Sequence, residues 1–203
     1  MGHGNTISEH KDPQFGKATP GKIGMWIFLT ADAMSFAGFL IAFAVLRSTK
    51  QWPDPVEALG GVELSGFMTF LLICSSVSMV LSIDACKHHD RKNMQFWLGV
   101  TILGGIAFLG LQVYEYQHLI NDLGMTFTNY PKGNNLFSST FFNITGFHGM
   151  HVLTGVLYLI AMYIMGAKGK FDNGNVNMLE IAGLFWHFVD LVWILVFTFV
   201  YLL

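Results

Sequence analysis

The stretch LFWHFVDLVWILVF, residues 184–197, is apolar at almost every position but carries His187 and Asp190 near its middle. With its flanks it reaches about 20 residues, the length at which a helix crosses a hydrocarbon layer of about 30 Å. The 203-residue chain is 53% hydrophobic and 12% charged, which leaves too few charged side chains to cover a soluble domain. The sequence therefore predicts an all-α, polytopic membrane protein.

Four more apolar runs of similar length precede this one, so we expect a bundle of five transmembrane helices. The intervening segments QWPDP, TNYPKGNN and KFDNGN are rich in turn-forming residues, as expected where a chain re-enters water. The predicted spans are residues 24–46, 64–83, 94–113, 138–165 and 178–203. They lie in a single domain over residues 22–203, and the polar residues 1–21 are predicted to be a flexible N-terminal tail.

The distribution of basic residues predicts the orientation of the bundle. Eight of them fall on the side of the N-terminus: Lys11, Lys17, Lys22, Lys87, Arg91, Lys92, Lys168 and Lys170. Three fall on the other side: Arg47, Lys50 and Lys132. Because an excess of Lys and Arg marks the cytoplasmic side, we expect the N-terminus inside and the C-terminus outside.

Ionisable groups occur at similar depth on three of the predicted spans. At 1.5 Å per residue, Asp32 lies roughly 12 Å and His187 roughly 13 Å from the inner ends of their helices. Asp190 lies about one turn beyond His187. The segment GFHGMHVLTG places His148 and His151 on one face of the fourth span, again near mid-depth.

A charge facing lipid at this depth costs a few kcal/mol, so we expect these groups to face protein. Small residues such as Gly146 and Gly149 let helix backbones approach closely enough for such pairing. Asp190 is expected to accept a hydrogen bond from a histidine of the fourth span or from His187. Burial disfavours the charged form of a carboxyl group, so we hypothesise that Asp32 is protonated in the folded protein.

The predicted intramembrane network is open to two interpretations. It can fix the packing of the helices without any chemistry, or it can serve a functional site; its members are His148, His151, His187 and Asp190. Glu115, in the segment VYEYQH near an outer end, is either a further member or a carboxylate at the membrane interface.

Three functions are compatible with these residues. A metal-dependent membrane enzyme could use the segments HGMH and WHFVD, because two His at i and i+3 can share one ion. A stand-alone proton or cation carrier could use the buried carboxylates and histidines as a relay, although the chain shows no internal repeat. An accessory subunit could use the same groups for packing, lipid binding or local proton supply.

Four ordered blocks of the sequence resemble one family. LFWHFVDLVWILVF, with the upstream SSTFFNITGFHGMHVLTG, resembles the last two helices of subunit three of haem–copper respiratory oxidases. MWIFLTADAMSFAGFLIAF resembles the helix of that family with a buried acid in its middle. The run from SSVSMVLSI through HHDRKNMQFWL to LQVYEYQ resembles the next helical hairpin.

The resemblance, which covers residues 24–203, is to the five-span bacterial form of the family. The long form has seven spans and encloses a lipid-filled cleft, one arm of which would here have to come from another subunit. The short form occurs in quinol oxidases and in some cytochrome c oxidases. Many relatives have Glu in an SE dipeptide where this sequence reads AD at Asp32.

The resemblance implies a non-catalytic accessory subunit in the bacterial plasma membrane, with no metal-binding residue of its own. Haem and copper would be held by the catalytic subunit I, which this chain would bind together with other oxidase subunits. Phospholipid is a further implied partner, and nucleic acid is not expected. The implied role is to stabilise the catalytic subunit and to sustain proton uptake.

The resemblance also assigns roles to residues of this chain. Asp32 matches the buried acid associated with proton uptake. The polar network comprises His148, His151, His187, Asp190 and Glu115. The lipid-binding candidates are Trp186, Arg91, Lys92, Lys168 and Lys170.

Overall fold

The computed structural model of the chain describes residues 19–49, 52–131, 134–171 and 176–203. It contains α1 (Pro20–Thr49), α2 (Pro55–Ala58), α3 (Glu63–Lys87), α4 (Arg91–Asn121), α5 (Asn135–Ala167) and α6 (Asn177–Val196), and α6 continues into a π-helical segment, Phe197–Leu202. The predicted tail lies almost entirely outside the described residues. So do four basic residues used to predict the orientation: Lys11, Lys17, Lys50 and Lys132.

Five of the described helices are long and apolar enough to cross a membrane, which confirms the predicted all-α fold with five spans. Most helix ends lie within about one turn of the predicted ones. The prediction was wrong for the end of α4, which continues past Val113 to Asn121. The chain turns only at Gly124, which adopts a positive φ of 63° that other residues rarely tolerate. We call the end of the bundle at which α1 begins the inner end, following the predicted orientation.

Polar side chains fix where two of the long helices begin. Asp90 accepts a hydrogen bond from the backbone N–H of Asn93 at 3.2 Å at the start of α4. Asn134 accepts one from the backbone N–H of Leu136 at 3.0 Å at the start of α5. Each bond satisfies a backbone donor that has no partner within the first turn of its helix.

The segment predicted only as a turn after the first span contains the short helix α2. Asp54 caps it by accepting a hydrogen bond from the backbone N–H of Val56 at 3.1 Å. The hydroxyl of Tyr130, from the loop before α5, donates to the backbone carbonyl of Ala58 at 3.5 Å. Burial, and to a lesser extent the nearby Glu57 carboxylate, raises the pKa of the Tyr130 phenol. The two outer loops are thus joined to each other.

Helices α3, α4, α5 and α6 form a bundle, and α1 lies outside it, mainly against α6 and α5. On α1 the buried side chains are Leu29, Asp32, Phe36 and Phe43. Their spacing of three, four and seven residues places them in one narrow row along the helix. We call this row the α1 seam. Asp32 is the polar member of the seam, so the fold directs it into protein.

A row of serines on α3 brings the neighbouring helix close. Ser75, Ser78 and Ser82 are buried at intervals of about one turn. The hydroxyl of Ser78 shares a hydrogen bond of 2.8 Å with that of Thr101, and Ser82 donates to the backbone carbonyl of Met94 at 3.0 Å. Small side chains allow close backbone approach, and their hydroxyls then bond across the interface between α3 and α4.

Candidate functional site

Asp32 meets His151 between α1 and α5. The distance from Asp32 Oδ1 to His151 Nε2 is 3.2 Å, and the exposed fractions of the two side chains are 9% and 16%. Asp32 belongs to the α1 seam, and His151 lies at the same level of the bundle on α5. The structure therefore brings together two residues that the sequence analysis placed on different spans, and we call them the Asp32–His151 pair.

The second ring nitrogen of His151 is bonded to its own helix. Nδ1 lies 2.8 Å from the backbone carbonyl oxygen of Phe147, one turn earlier. A carbonyl oxygen only accepts, so Nδ1 carries the hydrogen and Nε2 is the nitrogen that faces Asp32. The rings of Phe36 and Phe147 both pack edge-on against that of His151, with centroids 5.3 and 4.6 Å away. The imidazole is held in place on both sides.

A groove beside the Asp32–His151 pair separates part of α1 from α5 and α6. Its volume is about 510 Å³, and it is lined by Met25, Phe28, Met150, His151, Thr154, Tyr158 and Phe185. We call it the α5-side groove. His151 forms part of its wall, and the lining residues do not include Asp32.

His148 lies one turn from His151 and shares the neighbouring ring of Phe36 with it, but it also packs against α4 and α6. It is fully buried, and its ring lies 5.9 Å from that of Phe108 on α4 and 5.0 Å from that of Trp193 on α6. Neither of its ring nitrogens has a hydrogen-bond partner within the described part of the chain. The two histidines of the HGMH segment thus belong to different environments.

Among the described residues Asp190 has no hydrogen bond from a histidine of α5 or from His187, so that prediction was wrong. The hydroxyl of Ser76 on α3 shares a hydrogen bond of 2.6 Å with His187 Nδ1 and also interacts with the Asp190 carboxyl. Ser76 gives no signal in the sequence, because a serine within a helix can satisfy its own backbone.

Glu115 is buried inside the bundle and is therefore not a solvated carboxylate. Its exposed fraction is 7%, and its Oε2 accepts a hydrogen bond of 2.9 Å from the hydroxyl of Tyr201. Tyr201 lies in the π-helical segment Phe197–Leu202, which places its phenol against α4. Next to it, Tyr116 and Thr145 share a hydrogen bond of 2.7 Å that joins α4 to α5.

Trp186 is buried inside the bundle, so its assignment as a lipid-binding candidate was wrong. Only 1% of the residue is exposed, and its indole lies against Gly105 of α4 and Gly155 of α5. Its Nε1 donates a hydrogen bond of 3.2 Å to the hydroxyl of Ser75. The ring is therefore a packing element at the centre of the bundle.

An ion cluster that sequence reasoning missed joins three helices at the inner end. Glu180 at the start of α6 forms ion pairs with Lys22 of α1 and with Lys87 of α3, the second at 3.0 Å. Thr19 also donates a hydrogen bond of 2.8 Å to the side chain of Asn177 beside it. The sequence does place two lysines and one glutamate at the inner ends of three spans, and this pattern could have predicted the cluster.

The other lipid-binding candidates lie together at the inner end, between the start of α4 and the end of α5. The guanidinium of Arg91 donates to the backbone carbonyl of Ala167, the last residue of α5. Lys92, Lys168 and Lys170 are exposed. Four basic side chains thus share one face of the protein.

No three His, Cys, Asp or Glu side chains of the described residues are arranged to hold a metal ion. His187 and Asp190 have Ser76 between them, and His148 is enclosed by aromatic rings. The described residues therefore offer no set of metal ligands for the metal-dependent enzyme considered from the sequence.

Comparison with known proteins gives one consistent result. The sequence profile of a family described as cytochrome c oxidase subunit III matches residues 9–203. The chain is 35% identical to "Cytochrome c oxidase subunit 3" of Bacillus subtilis (strain 168), over 89% of this chain and 85% of that protein. It is 37% identical to the protein of the same name from Synechocystis, over 89% of this chain and 74% of that protein. It is also 36% identical to "Probable quinol oxidase subunit 3" of Staphylococcus haemolyticus (strain JCSC1435), over 90% of this chain and 88% of that protein.

Proposed function

The chain belongs to the cytochrome c oxidase subunit III family, and on this premise we propose that it is a non-catalytic subunit that stabilises the catalytic haem–copper subunit I and sustains its proton uptake. It is a multi-pass protein of the bacterial plasma membrane and a component of a respiratory oxidase complex. Haem and copper are held by the partner in this proposal. The single observation that carries the proton-uptake role is the contact between Asp32 and His151.

The position of the Asp32–His151 pair supports this role in two ways. An acid and an imidazole are the side chains that most readily exchange protons in proteins. An ionisable residue within a membrane span is costly unless protein shelters it, and such residues commonly mark proton routes. Asp32 sits in the α1 seam with 9% of its side chain exposed, and it contacts His151 of α5.

Replacing Asp32 with Ala is expected to leave the initial rate of oxygen consumption of the purified complex within about twofold and to shorten the period of sustained turnover severalfold. Removing one acid at the entry of a proton supply slows resupply without touching the oxygen-reducing centre, since general acid–base groups act on proton transfer. Oxygen consumption followed over successive turnovers measures both quantities.

The matched control is Ser35→Ala, one turn further along α1, where the exposed hydroxyl donates to the backbone carbonyl of Ala31. Chain composition and visible spectrum of each preparation establish that the partner subunits and their haem are present. An Asp32→Ala complex that turns over as long as the Ser35→Ala complex would remove the proton-uptake role.

We also propose that the basic face at the inner end binds the phosphate of a phospholipid head group. Lys92, Lys168 and Lys170 are exposed there, and Arg91 lies among them. Lysine side chains near an anionic lipid surface each contribute about 1 kcal/mol of attraction. Trp186 is excluded from this site because it is buried.

Replacing Lys168 and Lys170 with Glu is expected to lower the phospholipid phosphorus retained per complex after detergent purification, because the reversed charges repel phosphate. Phosphorus analysis of the washed complex measures it. The control reverses Arg47, the exposed basic residue in the last turn of α1, and should leave retention unchanged. Equal retention in all three preparations would contradict a lipid site on this face.

A further inference from the structure

A second groove runs along α1, on the side of the α1 seam opposite to the α5-side groove. It consists of two cavities of about 370 Å³ each, and both are lined by Trp26, Leu184 and His187, so the two are continuous. The deeper cavity lies between α1 and α6, and the inner cavity also contacts Ile83 and Lys87 of α3. We call the two together the α3-side groove.

The α3-side groove has the depth of one leaflet of a bilayer. On α1 its lining extends from Lys22 to Ala33, and on α6 it extends from Glu180 to Leu191. Each stretch advances eleven positions along a helix, which is about 16 Å. Half of a hydrocarbon core of about 30 Å is about 15 Å. The groove therefore reaches from the inner end of the bundle to the middle of the membrane.

Apolar side chains form most of the walls of the deeper half. They come from α1 and α6: Trp26, Leu29, Ala33, Leu184, Phe188 and Leu191. The rim is open to the bilayer, because 59% of Trp26 and 57% of Leu191 are exposed. A hydrocarbon chain in this half would contact protein on one side and lipid on the other.

The two polar side chains in the lining of the deeper half are bonded to protein. The hydroxyl of Thr30 donates to the backbone carbonyl of Trp26 at 2.8 Å. Nδ1 of His187 shares a hydrogen bond of 2.6 Å with the hydroxyl of Ser76 on α3. The deeper half thus suits an apolar chain more than a polar ligand.

The inner half ends in a positively charged mouth. The charged residues that line it are Lys22, Lys87 and Glu180, and Glu180 forms ion pairs with both lysines. One carboxylate neutralises one of two ammonium groups, which leaves one positive charge. The side chain of Lys87 is 53% exposed, and an ammonium group carries three donors, so it can bind a further acceptor beside Glu180. The mouth therefore complements a group with a single negative charge.

We propose that the α3-side groove binds one phospholipid with a single negative charge, with its phosphate at Lys22 and Lys87 and one acyl chain along α6 as far as Leu191. A phosphodiester supplies the charge and the oxygen acceptors that ammonium groups bind. The competing occupant is a transmembrane helix of another subunit. The phospholipid is favoured because it brings an anion and then an apolar chain in the order in which the groove presents their partners.

The bound lipid supports α1 on a flank that its own packing leaves uncovered, since α1 meets the bundle through the single row of the α1 seam. The site shares no residue with the basic face of Arg91, Lys92, Lys168 and Lys170. The inference goes beyond the proposed function and does not depend on it.

The test is photo-cross-linking of the purified complex in phosphatidylcholine vesicles. A trace of phosphatidylglycerol or of phosphatidylcholine carries a diazirine in the middle of one acyl chain, and mass spectrometry identifies the labelled peptides. Labelling of residues 184–191 is expected to be about fivefold higher with phosphatidylglycerol, the factor that one lysine contributes near an anionic lipid. Leu103 of α4, which is 67% exposed, is the internal reference and should be labelled equally by both lipids.

Two outcomes of this comparison contradict the site. Equal labelling of residues 184–191 by the two lipids would remove the anion site at the mouth. No labelling of these residues by either lipid would mean that a helix of another subunit covers the groove, which overturns the proposal.

Substitutions at the mouth and in the deeper half separate the head group from the chain. Lys87→Gln removes the remaining positive charge and should lower labelling by phosphatidylglycerol to the level of phosphatidylcholine, whereas Lys87→Arg should retain it. Ala33→Phe places a ring in the deeper half and should lower labelling of residues 184–191 by both lipids. Unchanged labelling in Lys87→Gln would overturn the head-group site, and unchanged labelling in Ala33→Phe would overturn the position of the chain.

Two matched controls change other parts of the same surface. Thr154→Phe places the same ring in the α5-side groove, and the combined substitution Lys168→Gln and Lys170→Gln lowers the charge of the basic face. Both should leave labelling of residues 184–191 unchanged. A loss in the second control equal to that in Lys87→Gln would assign the effect to the general charge of the inner end and overturn the site. If Ala33→Phe does not assemble, the comparison of Lys87→Gln with Lys87→Arg decides alone.

Discussion

Trp186→Ala is expected to lower the free energy of unfolding of the helix bundle by about 3–5 kcal/mol, the range for removing a buried aromatic side chain. Lipid tails are as apolar as the helix surface, so contacts between side chains, and not exclusion from water, hold membrane helices together. The indole lies between α4 and α5 with 1% of the residue exposed. Its loss leaves a void that three helices share.

Thermal unfolding of the purified complex, with the amount of this chain retained, measures the effect. Trp186→Phe keeps most of the ring but loses the bond to Ser75, and should cost only about 1 kcal/mol beyond the smaller volume. Trp26→Ala is the matched control, because 59% of Trp26 is exposed. A Tm of Trp186→Ala equal to that of Trp26→Ala would show that the indole is not a packing centre.

Gly105→Ala is expected to destabilise the same interface from the other side, by up to about 3 kcal/mol. A Cβ at this position would lie 2.6 Å from Trp186 Cη2 and 2.6 Å from Val156 Cγ2. Neither atom can move far, since one belongs to a fixed ring and the other to a branched side chain on α5. Helices α4 and α5 would have to separate.

Gly110→Ala on the same helix is the control, because nothing lies within 4 Å of a Cβ added there. It should even stabilise α4 slightly, as alanine favours the helix more than glycine does. Yield of intact complex and Tm report both variants. Equal behaviour of the two glycine variants would mean that α4 and α5 are not in the close contact described above.

Counting along the sequence predicted the extent of most spans well and the rotation of each helix about its axis poorly. The number and approximate limits of the spans follow from the length and apolarity of each run of residues. These properties are local, so each helix can be predicted without knowledge of the others. The partners of His187, Glu115 and Trp186 depend on how each helix turns about its axis. That rotation is set by all contacts of the bundle together.

The serines of α3 show why such partners escape a sequence pattern. Ser75 and Ser76 are adjacent, yet one accepts from Trp186 and the other bonds to His187. A serine hydroxyl can donate a hydrogen bond to a backbone carbonyl of its own helix, so neither residue predicts a partner on another helix. The similar positions of Asp32 and His151 along their spans could, by contrast, be predicted from the sequence, because both residues are ionisable and both would be costly in lipid.

The α1 seam has a consequence for the biogenesis of the chain. Helix α1 is synthesised before the helices against which it docks, α5 and α6. Until α5 is inserted and His151 contacts Asp32, the Asp32 side chain faces the lipid bilayer or the translocon. A central aspartate costs about 2.5–3.5 kcal/mol on insertion. Synthesis of α5 thus provides the protein contact that shelters the Asp32 carboxyl and stabilises α1 in the membrane.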